Sequence, residues 1–299
     1  MYLWHYFKLL KDRLHLAKKK SPMVKTVFAF AAFLASSFVA DAQYYYKDIL
    51  TNKQLVAEMA RLKEQKVRLI SLKSFEDDGS PSEGFFCERK INKSYTTVET
   101  LSRSNVTGAS TFTSSFNEKG LLIQTVDSSD IASSTSLYSY NDKGYITNIV
   151  SIARSSDDDF KNEIREEHIY EYGDKGVPVK MIRVKNTTDS TLFLFSTDEA
   201  NNISIEKNTK TSDTYYYYYD TKNRITDVVR LNPYNQKMLP DYIFEYNTAG
   251  LLAQMTTTEE GGSYYFIWKY TYADGLKIKE KCFSKEKRLM GSIEYEYKQ

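Results

Sequence analysis

Tyr138-Ser139-Tyr140-Asn141-Asp142-Lys143-Gly144-Tyr145-Ile146 is the stretch that decides the fold. Two tyrosines two residues apart place their rings on one face of an extended strand, because successive side chains alternate across the pleat. Asn141 and Gly144 follow, residue types that accept the positive φ a tight reversal demands. Ile146 then restarts an apolar run. The stretch reads as the turn of a β-hairpin.

The same frame recurs on both sides of it. Anchor positions fall at Phe116, Tyr140, Tyr172, Thr197, Tyr219, Tyr246, Tyr272 and Tyr297, separated by 24, 32, 25, 22, 27, 26 and 25 residues, a period that signals a repeat architecture. Two residues before the anchor stands a second aromatic: Tyr138, Tyr170, Phe195, Tyr217, Phe244, Tyr270 and Tyr295. Six residues after it comes an aliphatic, Leu122, Ile146, Ile203, Ile225, Leu252 or Ile278, with Pro178 in the copy at Tyr172. In the copy at Tyr272 the glycine, Gly275, arrives one residue early. Each copy supplies about two strands, so the expected fold is mainly β, an antiparallel sheet of tandem hairpins with one short N-terminal helix. Ile293 to Tyr297 is expected as a last strand.

The pattern aromatic-x-Tyr-Asn/Asp-x-x-Gly-x-Ile/Leu resembles the YD repeats of the RHS type over roughly residues 110–299. The resemblance implies a spiralling β-sheet, which in large members of that family closes into a shell around a toxin. It does not imply the toxin here. Eight anchors are too few to enclose a cargo domain. The repeat pattern fits an open, a spiral or a closed sheet.

Residues 1–42 read as a leader. Lys25 precedes an apolar run from Val27 to Val39, then Ala40-Asp41-Ala42, the small-x-small pattern of a cleavage site, so the mature chain is expected to begin at Gln43. A run of 13 residues falls short of the roughly 20 a membrane-spanning helix needs. Met23 is a possible true start; the alternative is a long n-region containing Lys18-Lys19-Lys20. Of 41 Lys/Arg and 39 Asp/Glu, the leader holds 7 and 2, leaving 34 and 37 and a mature net charge of −3. Nothing in that balance gives a basic footprint for nucleic acid or anionic lipid.

Between leader and repeats, residues 43–84 hold a helix and a loop. Leu55, Val56, Met59 and Leu62 follow helical spacing from Thr51 to about Lys66, and Thr51 with Gln54 forms a capping-box pattern. This helix is expected across an end of the sheet. The loop is Asp77-Asp78-Gly79-Ser80-Pro81, and the hairpin domain follows over 85–299. Cys87 and Cys282 are the only cysteines, and either one disulfide or two buried thiols in strands is consistent with them.

Catalytic constellations are scarce. His168 is the one histidine beyond the leader, and it sits in a strand with no nucleophile elbow nearby, sharing the phase of Tyr170 and Tyr172. No zinc cluster, dinucleotide fingerprint or phosphate loop is present, so no cofactor is expected. Asp157-Asp158-Asp159 is read as solvated, because it lacks the alternation and glycine of a calcium loop. Glu171, Glu245 and Glu296 precede anchors and are expected to face solvent.

Two strands depart from the pattern. Tyr215 to Tyr219 is a run of five tyrosines, of which Tyr216 and Tyr218 fall on the face where other copies carry Ser, Thr or Glu. In Tyr264-Tyr265-Phe266-Ile267-Trp268, Tyr264, Phe266 and Trp268 are assigned to the core and Tyr265 to the other face. Tyr216, Tyr218 and Tyr265 are the candidate binding residues, for stacking on a sugar or peptide; the competing reading is that the helix covers them. The expectation is an exported non-enzymatic binding or scaffold protein of the cell envelope, in periplasm, at the surface or outside. Its partner would be a glycan, peptide or envelope protein, with no nucleic acid and no integral span in the mature chain. The rival is a secreted carboxylate-dependent hydrolase acting on glycans, since such a pair is set by the fold. An outer-membrane barrel is disfavoured by the lack of a continuous outward apolar band and by the final Tyr297-Lys298-Gln299.

Overall fold

A computed structural model describes residues 43–105, 107–155, 163–232, 236–259 and 264–299. The expected leader and cleavage site, Met23 and the Asp157-Asp158-Asp159 run lie outside the described residues. The chain opens with a π-helical segment, Tyr45–Leu50, running into α1 (Thr51–Glu64). Eighteen strands follow: β1 (Leu69–Phe75), β2 (Phe86–Ile91), β3 (Thr97–Ser104), β4 (Gly108–Phe116), β5 (Leu122–Ser129), β6 (Ala132–Tyr140), β7 (Ile146–Ser155), β8 (Glu163–Tyr172), β9 (Pro178–Lys185), β10 (Asp189–Thr197), β11 (Ile203–Asn208), β12 (Thr214–Tyr219), β13 (Ile225–Leu231), β14 (Met238–Tyr246), β15 (Leu252–Thr258), β16 (Tyr265–Ala273), β17 (Leu276–Ser284) and β18 (Leu289–Lys298).

Every strand pairs antiparallel with its sequence neighbours, and β1 also pairs with β18, Leu72 opposite Tyr295, so the sheet closes into an 18-stranded barrel. The mainly β fold with one short helix is as expected. Closure is what the repeat pattern left open. It is completed by β1, a strand lying within the stretch read as helix and loop, which joins β18 to β2.

The turns explain the motif. Beside Tyr140, the Asn141 N–H donates to Tyr145 O at 3.0 Å, Gly144 N–H donates to Asn141 O at 2.9 Å, and Asn141 Oδ1 accepts the Tyr145 N–H at 3.0 Å. Asn117, Asp198, Asp220 and Asn247 repeat that side-chain acceptance four residues ahead. Gly144 has φ +78°, and Asn201 and Asn223, which replace glycine in two copies, still reach +64° and +58°. Ahead of each of seven anchors, from Ser115/Phe116 to Thr271/Tyr272, the ladder slips by one residue, a β-bulge at the same place in each hairpin. The extra residue sits on the outgoing strand, Ile123 in the first copy, so the slip sets the aliphatic six residues on, Leu122, opposite the anchor, whose side chain faces inward by alternation. The anchor hydroxyl then donates to a backbone carbonyl of the preceding hairpin: Tyr140 to Leu122 O at 2.6 Å, Tyr219 to Ile203 O at 2.8 Å, Tyr246 to Ile225 O at 2.8 Å and Tyr297 to Lys277 O at 2.7 Å.

Two core assignments need correction. Ile278 does not fill the aliphatic slot: with the turn one residue shorter, Lys277 pairs with Tyr272 and Ile278 becomes the exposed residue of the bulge. Lys277 satisfies its charge inside by an ion pair to Glu280 at 2.7 Å and by lying over the rings of Tyr270 and Tyr295. Tyr264 is exposed just ahead of β16 and is not a core residue, whereas Trp268 is buried.

The helix is also not across an end of the sheet. Its contacts reach opposite walls: Tyr44 meets Phe193 and His168, Tyr46 meets Tyr242 and Phe244, Asn52 bonds Tyr140, and Glu58 pairs with Arg89. All those wall residues lie on the phase whose apolar members form the core, so residues 43–66 occupy the lumen as a plug. Thr51 caps nothing; it lies mid-helix and its hydroxyl donates to Tyr46 O at 3.1 Å. Cys87 and Cys282 are buried, unpaired thiols, each inward-facing, and burial pushes them up to about 11 and about 12.

Candidate functional site

The plug is gripped by polar groups on the inner wall. Glu206 of β11 is 0 % exposed. It accepts the backbone N–H groups of Gln43 at 3.0 Å, Tyr44 at 3.0 Å and Tyr45 at 2.9 Å, and the Tyr217 hydroxyl at 2.7 Å. A carboxylate from another strand thus caps the helix start, where N–H groups lack partners of their own and the helix dipole favours negative charge. Burial raises the Glu206 carboxyl above its ordinary range.

Three strands away in the wall, on β8, His168 stands between two carboxylates. Its Nδ1 lies 2.6 Å from Asp48 Oδ2 on the plug and its Nε2 2.7 Å from Glu166 Oε1 on its own strand. Tyr170 also donates to Asp48 Oδ2 at 2.7 Å, and Arg183 donates to Tyr44 Oη at 2.8 Å. Burial would favour the neutral imidazole; Asp48 and Glu166 outweigh it and lift His168 to about 9. Both ring nitrogens are engaged and the ring is buried, so no lone pair is presented to a substrate. Its geometry is that of a charged clasp between plug and wall.

Between α1 and β2–β4 the enclosed space is about 10 Å³, lined by Leu55, Glu58, Met59, Arg89 and Phe116 among others. That holds about one water. A larger, open cleft of about 440 Å³ lies between two adjacent turns at the barrel's rim, lined by Asn141, Asp142, Lys143, Tyr145, Tyr172 and Asp174. Tyr145 and Tyr172 stack there with centroids 5.1 Å apart. Two carboxyl side chains, Asp142 and Asp174, therefore share one cleft with an aromatic pair. Sequence reasoning missed this cleft, because it forms between hairpins 32 residues apart at their anchors, the longest spacing in the array.

The three aromatics singled out from the sequence all lie on the outer wall. Tyr216 is half-buried between Ile205 and Val229, Tyr218 is 47 % exposed opposite Asp227, and Tyr265 is half-buried opposite Thr258. The plug is on the other side of the sheet and covers none of them. Tyr216 and Tyr218 share β12, but β16 is four strands away, about 19 Å at the usual strand spacing; Tyr265 belongs to a different patch.

The outer wall itself is divided. From β6 to β14 it carries apolar cross-strand partners, Leu137 with Val150, Ile169 with Ile182, Ile182 with Leu192, then Ile205, Tyr216, Val229 and Pro240 in succession, interrupted by Glu167 opposite Val150 and Lys207 opposite Leu194. From β16 through β18 and β1 to β3 it carries Lys269, Lys281, Lys279, Glu294, Lys73, Glu88, Lys90 and Glu99 at mid-strand. Lys279 and Glu294 pair at 2.7 Å, and Lys73 pairs with Glu296. Glu171 and Glu245 face outward as expected, Glu171 pairing with Lys180 at 2.9 Å. Among the described residues no group of three or more His, Cys, Asp or Glu is placed to hold a metal, and no helix is long and apolar enough to cross a membrane.

No protein-family model matches the chain, and no curated protein matches its sequence. Among solved structures, it is similar to a porin-like protein from Bacteroides uniformis at 10 % identity and TM-score 0.36, over 78 % of this chain and 98 % of that one. A porin-like protein from Bacteroides vulgatus matches at 10 % identity and TM-score 0.28, over the same 78 % and 98 %. A TcdB2-TccC3 toxin structure matches at 12 % identity and TM-score 0.31, over 71 % of this chain but 12 % of that one. At these scores the functional reading rests on the chain's own geometry.

Proposed function

We propose that the chain is an exported, non-enzymatic barrel of the cell envelope that binds or scaffolds through its outer wall and not through its lumen. The observation that carries this reading is the occupied lumen: residues 43–66 fill it and are held by Glu206, the Asp48–His168–Glu166 clasp and the Glu58–Arg89 pair at 2.7 Å. A solute path would require those contacts to break together. The charged outer arc argues against immersion of the whole wall in lipid, because a Lys or Arg facing lipid at the bilayer midplane costs about 2–4 kcal/mol each. Tyr216 and Tyr218 are the proposed contacts for an envelope glycan or peptide, with Tyr265 serving a separate patch.

Purified protein is expected to give no conductance steps in planar lipid bilayers and to leave the envelope fraction without detergent. Tyr218→Ser should weaken binding to a panel of envelope glycans and peptides while leaving the thermal midpoint unchanged. Stepwise conductance would refute the reading.

A second reading, a hydrolase acting on glycans, is favoured by one observation: Asp142 and Asp174 line the same solvent-open cleft as the Tyr145–Tyr172 stack. Glycan hydrolysis that disappears in both Asp142→Asn and Asp174→Asn, with folding intact, would establish it.

A further inference from the structure

The carboxylates that join plug to wall each face a cation, with one exception. Asp48 and Glu166 face His168, Glu58 faces Arg89, and Asp241 lies 3.5 Å from Arg230. Glu206, fully buried, is met among the described residues by three backbone N–H groups and one hydroxyl, all neutral. Burial raises its pKa, and the like charge of Asp48 adds to that. A buried carboxylate without a countercharge is costly.

Gln43 is where that countercharge would be made. Its backbone nitrogen lies 3.0 Å from Glu206 Oε1, and the residue is 3 % exposed. It directly follows Ala40-Asp41-Ala42, the leader's small-x-small pattern. Within an unbroken chain Gln43 holds φ at +75°, a left-handed conformation that a residue with a Cβ rarely adopts. An N-terminal residue has no preceding carbonyl and so no such strain.

We infer that cleavage of the leader after Ala42 completes the plug: the new α-ammonium of Gln43 forms a buried ion pair with Glu206 and locks residues 43–66 in the lumen. Water adds across the Ala42–Gln43 bond; Ala42 leaves as a carboxylate, and the freed amine takes up a proton. The Gln43 side chain is fixed by its Nε2 donating to Asp241. That contact holds the side-chain amide away from the amine, so cyclisation, in which the amine would attack the amide carbon and expel ammonia, is suppressed. The inference rests on the export reading proposed above, and its test separates the two.

The full chain is exported from a bacterial host, purified and measured by intact mass. The expected mass is that of residues 43–299 with an uncyclised Gln43. The α-amine is then labelled at neutral pH with an amine-reactive ester; it should react on the order of tenfold more slowly in the folded protein than after denaturation, because reaction requires local opening. Placing one alanine ahead of Gln43 should lower the thermal midpoint in the Glu206 chain and leave it unchanged in Glu206→Gln. An uncleaved chain refutes export and this inference together. Cleavage at Gln43 with an amine that labels at the denatured rate, a cyclised Gln43, or an equal effect of the added alanine in both backgrounds refutes only the ion pair. The labelling result stands on the unsubstituted protein, so it decides the matter even where Glu206→Gln does not fold.

Discussion

Raising the pH from 6 to 9 should loosen the plug from the wall through His168. The groups facing its ring are Asp48 from the plug, Glu166 from its own strand, and Tyr44, Tyr170 and Arg183 around them, with Lys185 3.4 Å from Glu166. The folded imidazole is raised to about 9 from an ordinary 6.5, Asp48 and Glu166 together outweighing the opposing burial. A histidine raised on folding contributes stability that is fully present below its unfolded pKa and is lost as pH rises through the folded one. At about 1.4 kcal/mol per pKa unit, that contribution is about 3 kcal/mol near pH 6 and about 0.4 kcal/mol at pH 9. The ring is buried, so solvent screening does not erode it. The assay is denaturant unfolding at pH 6, 7.5 and 9 for the natural chain and for His168→Gln, which keeps polar groups but no charge. The stability gap between the two chains should shrink by about 3 kcal/mol over that range. Taking the difference cancels other groups titrating in the same window, the Gln43 amine included. A gap that is constant with pH would refute the charged clasp.

Other outcomes follow from single contacts. Tyr246→Phe removes the 2.8 Å hydrogen bond to Ile225 O while keeping the ring, and thermal unfolding should show a loss of about 1 kcal/mol, since the carbonyl is left without that donor. Gly176→Ala and Gly120→Ala both place a Cβ at positive φ, +73° and +77°, but only at Gly176 would it meet Tyr145, 2.5 Å from its hydroxyl oxygen. Both should destabilise by about 1 kcal/mol, and only Gly176→Ala should also change the near-ultraviolet circular dichroism, by parting the Tyr145–Tyr172 stack. Phe193→Ala empties a fully buried site against Tyr44, 4.8 Å from its ring, and should cost about 3–5 kcal/mol by chemical denaturation. Cys87 and Cys282, buried and raised, should react with a thiol reagent only after unfolding; rapid labelling of either in the native protein would contradict the closed wall.

The hairpins were legible because their causes are local. Asn141 and Gly144 specify a turn whatever lies around them, and the two-residue spacing of Tyr138 and Tyr140 fixes which face is inner. Closure was not legible, since it depends on β1 meeting β18 across 227 residues from Ile70 to Tyr297, a pairing with no motif. The plug was half legible. Helical spacing found α1, but the real start of the helix is set by Glu206, some 160 residues away, while the local capping pattern at Thr51 was a coincidence of composition. The phase argument also failed where one residue was missing, at Ile278, because a period-2 rule reverses at any insertion or deletion. Tyr216, Tyr218 and Tyr265 were correctly read as leaving the inner face. Their separation into two patches depends on strand order, which alternation does not encode.

The width of the wall explains why the lumen is filled by chain and not by side chains alone. Eighteen strands at about 4.8 Å spacing and a tilt near 40° would enclose a circle about 35 Å across, and barrels of 16–18 strands ordinarily leave an aqueous channel. A helix with its side chains is about 10–12 Å wide. Inward tyrosine and phenylalanine rings from both walls narrow the gap, which is one physical reason for so many aromatics at a single phase of the strands. The wall must still be drawn in around the plug for Tyr140, Arg89, His168 and Glu206 to reach it at once. The repeated tyrosines and the plug therefore depend on each other: without residues 43–66 the rings would line a wet cavity, and without the rings the plug would touch only one wall. Because the inner face is consumed by that mutual packing, the recognition proposed above falls to the outer wall and to the rim, where Tyr218 and the Asp142–Asp174 cleft are the accessible chemistry.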